Sequence, residues 1–312
     1  SLWLYLLYPF SLLFSYLTTR RRKKFIDKQK DSFKPDIPVI VVGNITIGGT
    51  GKTPLVKHIA SELHKKGYRP GIVSRGYGGK FKKTLQVLKN SSVKETGDEA
   101  QILAKLNFPF YIDKNRVRAI KTLIKNHNCN VIISDDGLQH YKMGRDIEIA
   151  VIDGKRRFGN SLTFPGGPLR ESKKRLNSVD FIVNNSGPTE EGEYLMNISP
   201  SKFVHLKSGK SYKIEDWPMH KNVHAVAGLG NPGRFFDLLN RLGFDIERHP
   251  YPDHHNFTSS DLYFLDHLPI LMTEKDASKC KDFDNNKIWY LTIDADVSNN
   301  FIDMLDKKIK SI

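Results

Sequence analysis

From residue 38 the chain alternates short apolar runs with longer amphipathic stretches. Pro38–Val42, Gly71–Ser74, Val131–Ser134, Ile147–Asp153 and Val179–Asn184 are almost unbroken apolar runs, the pattern of strands covered on both faces. Pro54–Lys66, Asp98–Leu106 and Arg116–Lys125 lie between several of them and carry helical spacing. Strands alternating with helices predict an α/β fold: a parallel sheet with helices on both faces. Ligands in such sheets bind beyond the carboxyl ends of the strands. Three polar, glycine-bearing turns directly follow strands and should converge there. They are the turn after Val42, Ser74-Arg75-Gly76-Tyr77-Gly78-Gly79, and Asp135-Asp136-Gly137.

From about 186 to 222 the pattern weakens into polar, Gly/Pro/Lys-rich sequence, which reads as an inter-domain connection. A second α/β unit follows, with strands expected at Val223–Ala227, Ile270–Thr273 and Ile288–Ile293. The expected division is an N-terminal helix and basic cluster at 1–30, a core domain at 31–207, a linker at 208–222, and a smaller α/β domain at 223–312. The C-terminal helix is expected to pack back on the core domain.

The N-terminus breaks the alternation. Leu2 to Leu17 is almost wholly apolar and aromatic, and Arg20-Arg21-Arg22-Lys23-Lys24 follows at once. Sixteen helical residues reach about 24 Å, short of a hydrocarbon core of about 30 Å. In a secretory signal the charges precede the apolar run; here they follow it. The expectation is a helix lying on the cytoplasmic leaflet with its basic cluster on anionic headgroups.

The first strand runs into Gly43-Asn44-Ile45-Thr46-Ile47-Gly48-Gly49-Thr50-Gly51-Lys52-Thr53-Pro54. Strand, glycine-rich turn, Gly-Lys-Thr and helix come in the order of a phosphate-cradling P-loop. That makes the expected fold a P-loop NTPase-like sheet plus a smaller second α/β domain. Gly48, Gly49, Thr50, Gly51, Lys52, Thr53 and Pro54 would hold the triphosphate. Lys52 would reach the β/γ-phosphates, and the Thr53 hydroxyl would ligate Mg²⁺. Thr46 stands where the first glycine of the common pattern belongs. Ile47 stands where one ATPase sub-class carries a second lysine, which disfavours that sub-class.

Of 312 residues, 39% are hydrophobic and 27% charged, ordinary values for a globular chain. The net charge of +15 is high and implies anionic partners: a nucleotide, an acidic lipid surface or a phosphorylated substrate. No DNA- or RNA-binding signature accompanies it, so nucleic acid is not an expected partner. Cys129 and Cys280 lack metal-type spacing and fit a reduced, cytosolic compartment.

Several further groups could carry chemistry. Asp135 and Asp136 end an apolar strand, as a Walker-B element presents carboxylate to Mg²⁺. Asp98 is either a first-turn acid beside a Thr96/Glu99 capping box or a general base. Arg170 and Glu171 follow a Pro/Gly loop and could stabilise the transferring phosphoryl group and help hold Mg²⁺. Adjacent His254 and His255 point different ways on any regular element, so they suit a proton relay better than a metal. Gly228, Gly230 and Gly233 read as a turn closing a nucleotide cleft.

Taken together, these segments resemble the tetraacyldisaccharide 4′-kinase (lipid A 4′-kinase) family. The resemblance rests on Gly43-Asn44, Gly48 to Pro54, Ser74 to Gly78, Gly97-Asp98-Glu99 and Asp135-Asp136-Gly137-Leu138-Gln139-His140. It continues through Gly166 to Glu171, Ala227 to Pro232, Asp253-His254-His255 and Thr273-Glu274-Lys275-Asp276. The family also lacks the first P-loop glycine. The resemblance implies ATP- and Mg²⁺-dependent phosphorylation of the 4′-hydroxyl of a tetraacylated glucosamine disaccharide 1-phosphate at the cytoplasmic face of an inner membrane. It also implies that Asp98 is the base and His254 its partner. Asn44, Arg75, Tyr77, Glu99, Gln139 and His140 are implied acceptor-site residues. Thr53, Asp135, Asp136 and Glu171 are the candidate Mg²⁺ ligands. The sequence itself leaves two other readings open. One is a P-loop GTPase or metallochaperone-like switch, with Thr273-Glu274-Lys275-Asp276 as the nearest guanine-reading string. The other is a non-catalytic ATP-binding protein of the membrane surface. Oligomeric state is not legible.

Overall fold

The computed structural model describes residues 2–27, 31–253, 255–298 and 300–312. A helix, α1 (Leu2–Ile26), precedes the sheet. Then come β1 (Val39–Gly43), α2 (Lys52–Lys65), β2 (Pro70–Ser74), β3 (Leu85–Gln86), α3 (Val93–Thr96) and α4 (Asp98–Ala104). β4 (Phe110–Ile112), α5 (Arg116–Asn126), β5 (Val131–Asp135), β6 (Ile147–Asp153) and β7 (Phe181–Asn185) complete the first half. The second half holds β8 (Glu193–His205), β9 (Ser211–Lys213), β10 (Asn222–Ala227), α6 (Gly233–Arg241) and β11 (Asp245–Pro250). It ends with β12 (Ile270–Thr273), α7 (Glu274–Ser278), β13 (Ile288–Val297) and α8 (Asn300–Lys310).

The parallel core is β2-β5-β1-β6-β7, with β1 at its centre. Every residue of β1 is buried, which is why its sequence shows no polar alternation. Ile40 and Val42 face a core completed by Leu55, Val56 and Ile59 of α2, and by Phe301 of α8. Val39 and Val41 face the opposite core, with Ala119, Ile120 and Leu123 of α5. The helices thus cover both faces, as the alternation of runs requires.

The stretch 186–222 corrects the expected connection. It holds β8, a strand of 13 residues, and β9. β8 pairs parallel with β7 and antiparallel with β13, so the sheet runs unbroken from one half of the chain to the other. The expected linker at 208–222 contains β9. β8 escaped reading because Pro200 interrupts it, and proline inside a run argues against a paired strand. Here Pro200 sits opposite Ile293, where the β8–β13 register shifts. A missing N–H costs least at such an irregularity.

β10, β12 and β13 pack α6 on one face and α7 on the other, through separate apolar clusters. α8 returns to the first half: Phe301 meets the rings of Phe181 and Tyr194, and Lys308 pairs with Asp180 at 2.6 Å.

α1 is a single helix of 25 residues that includes Pro9 and the whole basic cluster. Leu6, Phe10, Leu12, Leu13, Tyr16 and Leu17 remain exposed along it. Among the described residues no helix is long and apolar enough to cross a membrane. α1 is anchored through Ser11, whose carbonyl accepts from Thr163 Oγ1 at 2.7 Å and whose hydroxyl accepts from Gly166 N–H at 2.9 Å. Phe14 meets Phe164 edge to face, and Phe25 lies beside Tyr141.

Candidate active site

Gly51 caps α2 at φ +92°, a left-handed conformation that disfavours any side chain. A Cβ there would also lie 2.7 Å from Asn185 Nδ2, which donates to the Thr50 carbonyl at 3.0 Å. Among the described residues no side chain caps the helix, so its first N–H groups stay open to an anion. Pro54 is harmless in this first turn because it lacks a donor the helix does not use there.

Thr46 proves compatible with the loop because the backbone there is extended. Residues 45–47 pair with residues 168–170: Ile47 N–H donates to Pro168 O at 2.7 Å and Arg170 N–H to Ile45 O at 2.6 Å. Thr46 lies outside the left-handed region, so no glycine is needed. The Pro/Gly loop that touches α1 is therefore a neighbour of the phosphate loop. Arg156 holds the loop from the other side, donating to Gly49 O at 2.9 Å and pairing with Asp153 at 2.8 Å.

Asp136 joins the two cations expected around a triphosphate. Its carboxylate lies 3.4 Å from Lys52 Nζ and 3.1 Å from Arg170 Nη1. Burial raises the Asp136 carboxyl, but Lys52 and Arg170 outweigh it and hold it below the usual range. Asp135 differs. Its Oδ1 is buried without a hydrogen-bond partner among the described residues. Burial, reinforced by Glu99 and Asp136, pushes its carboxyl up to about 7. A buried, unpartnered carboxylate oxygen is what a cation site leaves behind. Thr53 hydroxyl, Asp135 and Asp136 offer the hard oxygen donors Mg²⁺ takes, so the residues fit that ion. Arg116, absent from the sequence reading, is buried against this pair and donates to the Asp135 carbonyl at 2.8 Å.

Glu171 is committed elsewhere. It accepts from Gln139 Nε2 at 2.9 Å and from the Tyr141 hydroxyl, and Arg175 lies 3.8 Å away. Gln139 also donates to Asn44 O at 3.0 Å, and buried Asn44 reaches Gly48 O at 3.4 Å. Asn44, Gln139 and Glu171 thus brace the loop from within the protein. Around His140 gather Arg116, Arg145, Arg21 and Arg75. Burial first, then these charges, push His140 down to about 4, so it is neutral at pH 7. Arg75, Tyr77 and Glu99 are exposed.

Asp98 opens α4 and is buried. The expected Thr96/Glu99 capping box does not form. Gly97 occupies the cap position, while Thr96 Oγ1 donates to Ser92 O at 2.9 Å and accepts from Gln101 Nε2 at 3.0 Å. Gly97 has φ +87°, and a Cβ would meet Tyr77 O at 2.1 Å, so only glycine lets the 75–79 turn close on α4. Lys275 reaches Asp98 at 3.6 Å and Asp253 at 3.6 Å. This lysine lies in a string that propensity alone reads as a helix cap. Thr273 does cap α7, accepting from Asp276 N–H at 3.2 Å. Fully buried Asp276 accepts from Gly228 N–H at 3.0 Å, from Thr273 Oγ1 at 2.7 Å and from Lys279 Nζ at 3.0 Å. Glu274 pairs with Lys105 at 2.8 Å. The string is consumed in joining α7 to α4 and to the Gly228 turn, leaving no guanine-reading pair. His255 bonds Asp261 at 3.1 Å and stacks on Tyr251. His254 lies outside the described residues.

A cleft of about 860 Å³ opens between the two halves of the sheet. Thr53, Asp153 and Asn185 line one wall; Leu229, Phe235 and Lys275 line the other.

The family model described as tetraacyldisaccharide-1-P 4′-kinase matches residues 3–310. The chain is 47% identical over 311 residues to the tetraacyldisaccharide 4′-kinase of Ruthia magnifica subsp. Calyptogena magnifica, covering 98% of this chain and 97% of that one. It is 44% identical over 308 residues to the enzyme of that name from Shewanella sediminis, covering 98% and 90%. The fold matches a crystal structure of LpxK from Aquifex aeolicus in complex with ATP, with a TM-score of 0.85 and 27% identity over 99% of this chain and 98% of that one. Phosphate loop, paired carboxylates and relatives agree: the chain belongs to the tetraacyldisaccharide-1-phosphate 4′-kinase family.

Proposed function

We propose that the protein transfers the γ-phosphoryl group of ATP to the 4′-hydroxyl of a tetraacylated glucosamine disaccharide 1-phosphate. The observation that carries this reading is the Asp135–Asp136–Lys52–Arg170 cluster beside the uncapped α2 N-terminus, with Asp98 and Lys275 where the two halves meet. In this account the triphosphate takes the α2 N-terminus and draws Lys52 and Arg170 from Asp136. The adenosine moiety occupies the cleft between the halves, which would close over it. Thr53, Asp135 and Asp136 would hold Mg²⁺, which when bound neutralises charge on the β- and γ-phosphates. Glu171 is left out of that set because protein donors already take both its oxygens.

Asp98 accepts the 4′-hydroxyl proton as the hydroxyl oxygen bonds to the γ-phosphorus and the bond to the β-phosphate oxygen breaks, releasing ADP. Lys275 holds the Asp98 carboxylate in place. His254 is assigned as partner of Asp98 from the family resemblance alone. Arg75 and Arg21, near His140, suit the anionic head of the acceptor. α1, with its exposed apolar side chains and Arg20 to Lys24, suits attachment to an anionic membrane surface, where the acyl chains reside. Its contacts to Thr163 and Gly166 would join that surface to the loop carrying Arg170. Incubation with labelled ATP and the disaccharide precursor tests the proposal. A phosphorylated glycolipid is expected from the native protein, and none from Asp98→Ala.

A further inference from the structure

The outer edge of the second half carries a cluster that this chemistry does not use. β11 is the edge strand, and Glu247 and His249, two residues apart, lie on one face of it. β10 pairs with it in parallel register, His224 opposite Glu247 and Val226 opposite His249. The three polar side chains converge. His224 Nδ1 lies 3.0 Å from His249 Nε2 and 3.3 Å from a Glu247 oxygen, and His249 Nε2 lies 3.7 Å from the other Glu247 oxygen. Two donors bound tetrahedrally at 2.0–2.1 Å sit about 3.3 Å apart. The observed separations straddle that value.

The surroundings prepare His224 as a ligand. Its Nε2–H donates to Asp266 Oδ2 at 2.9 Å, which fixes the tautomer and turns the Nδ1 lone pair toward the cluster. Asp266 is held in turn, accepting from Leu268 N–H at 3.0 Å. Phe264 stacks on the His224 ring at 3.8 Å and sets its plane. His224 is 2% exposed, whereas Glu247 is open to solvent, so a fourth position faces water. Without an ion, His249 Nε2–H donates to His224 Nδ1. With one, that proton moves to His249 Nδ1 and both lone pairs are free.

We infer that His224 Nδ1, His249 Nε2 and the Glu247 carboxylate form a binding site for one divalent cation of the zinc type, separate from the phosphate site. Two imidazoles and a carboxylate select such a borderline cation over Mg²⁺, which takes oxygen donors. The ion ties edge strand β11 to β10. The chain beyond β11 leads to Asp253, one of the two carboxylates on Lys275.

The test uses the full-length protein, stripped with chelator and free of nucleotide. Zn²⁺ is titrated in competition with a chromogenic chelator, and Co²⁺ serves as a spectroscopic reporter. The native protein is expected to bind one equivalent of Zn²⁺ and to give visible Co²⁺ bands of low-symmetry, nitrogen-containing coordination. Glu247→Gln and His249→Gln, both at the exposed edge, should weaken Zn²⁺ binding by about 100-fold, and Asp266→Asn by roughly 10-fold or more. Asp135→Asn should leave it unchanged. Zn²⁺ bound equally by the native protein and His249→Gln overturns the inference. So does Zn²⁺ binding lost in Asp135→Asn but kept in His249→Gln, or equal competition by Mg²⁺.

Discussion

Asp135→Asn separates the cost of a buried carboxylate from its use. Burial raises the folded-state carboxyl from 3.8 to about 7. A raised carboxyl pKa means the folded protein holds a proton that the unfolded chain has released. Stability therefore falls as pH rises from about 3.8 through 7, and the full cost is present above 7. At about 1.4 kcal/mol per unit, this shift costs the ligand-free fold up to roughly 4 kcal/mol at pH 8 and under about 2 kcal/mol at pH 5. Asparagine is near-isosteric and uncharged, so it removes the cost. In chelator and without nucleotide, Asp135→Asn should melt higher than the native protein at pH 8, by up to about 8 °C at roughly 2 °C per kcal/mol for a chain of this size. The gain should shrink to less than half at pH 5. With Mg²⁺ and ATP the order should reverse, because the native carboxylate then has its cation, and turnover of the variant should collapse. Thermal unfolding at both pH values reads the first part. A lower melting temperature at pH 8, or a gain equal at both pH values, refutes the reasoning.

Three further outcomes follow from the same geometry. Asp98→Asn should lower kcat by about 10²- to 10⁴-fold while ATP affinity changes little, measured by steady-state kinetics and nucleotide titration. Asp276→Ala removes the acceptor of the buried Gly228 N–H and of the half-buried Thr273 hydroxyl and Lys279 ammonium, and should cost about 3–5 kcal/mol, read as a lowered denaturation midpoint; an unchanged midpoint would show the Gly228 turn to be held otherwise. Replacing Arg20, Arg21, Arg22, Lys23 and Lys24 by glutamine should weaken binding to anionic vesicles by about 1 kcal/mol per charge in a flotation assay, with binding to neutral vesicles little changed.

The sequence was legible where burial or covalent geometry leaves one solution. The apolar runs Val39–Val42 and Val131–Ile133, and the glycines that permit left-handed backbone, located the phosphate loop and the acids that follow the second run. Pairings set by tertiary contact were not legible. Pro200 disguised β8 because its acceptable position depends on a register shift in β13. Thr96 and Glu99 have capping-box spacing, yet Tyr77 packs against Gly97 and the box gives way. Lys275 and Asp276 sit in a string whose capping pattern is satisfied, so propensity gave no sign that they also hold Asp98 and the Gly228 turn. Glu171 looked available because nothing local shows that Gln139 and Tyr141 fold onto it. Nothing local to Arg116 shows that it folds onto the Asp135 carbonyl.

The account stands most directly on the fate of the γ-phosphoryl group. The native protein is supplied with γ-labelled ATP, Mg²⁺ and a tetraacylated glucosamine disaccharide 1-phosphate in mixed micelles, and the glycolipid product is analysed. The account predicts label on the 4′-oxygen in step with ADP release, lost in Asp98→Ala and in Lys52→Ala. ATP hydrolysis that ignores the glycolipid, or label at any other position, would contradict it.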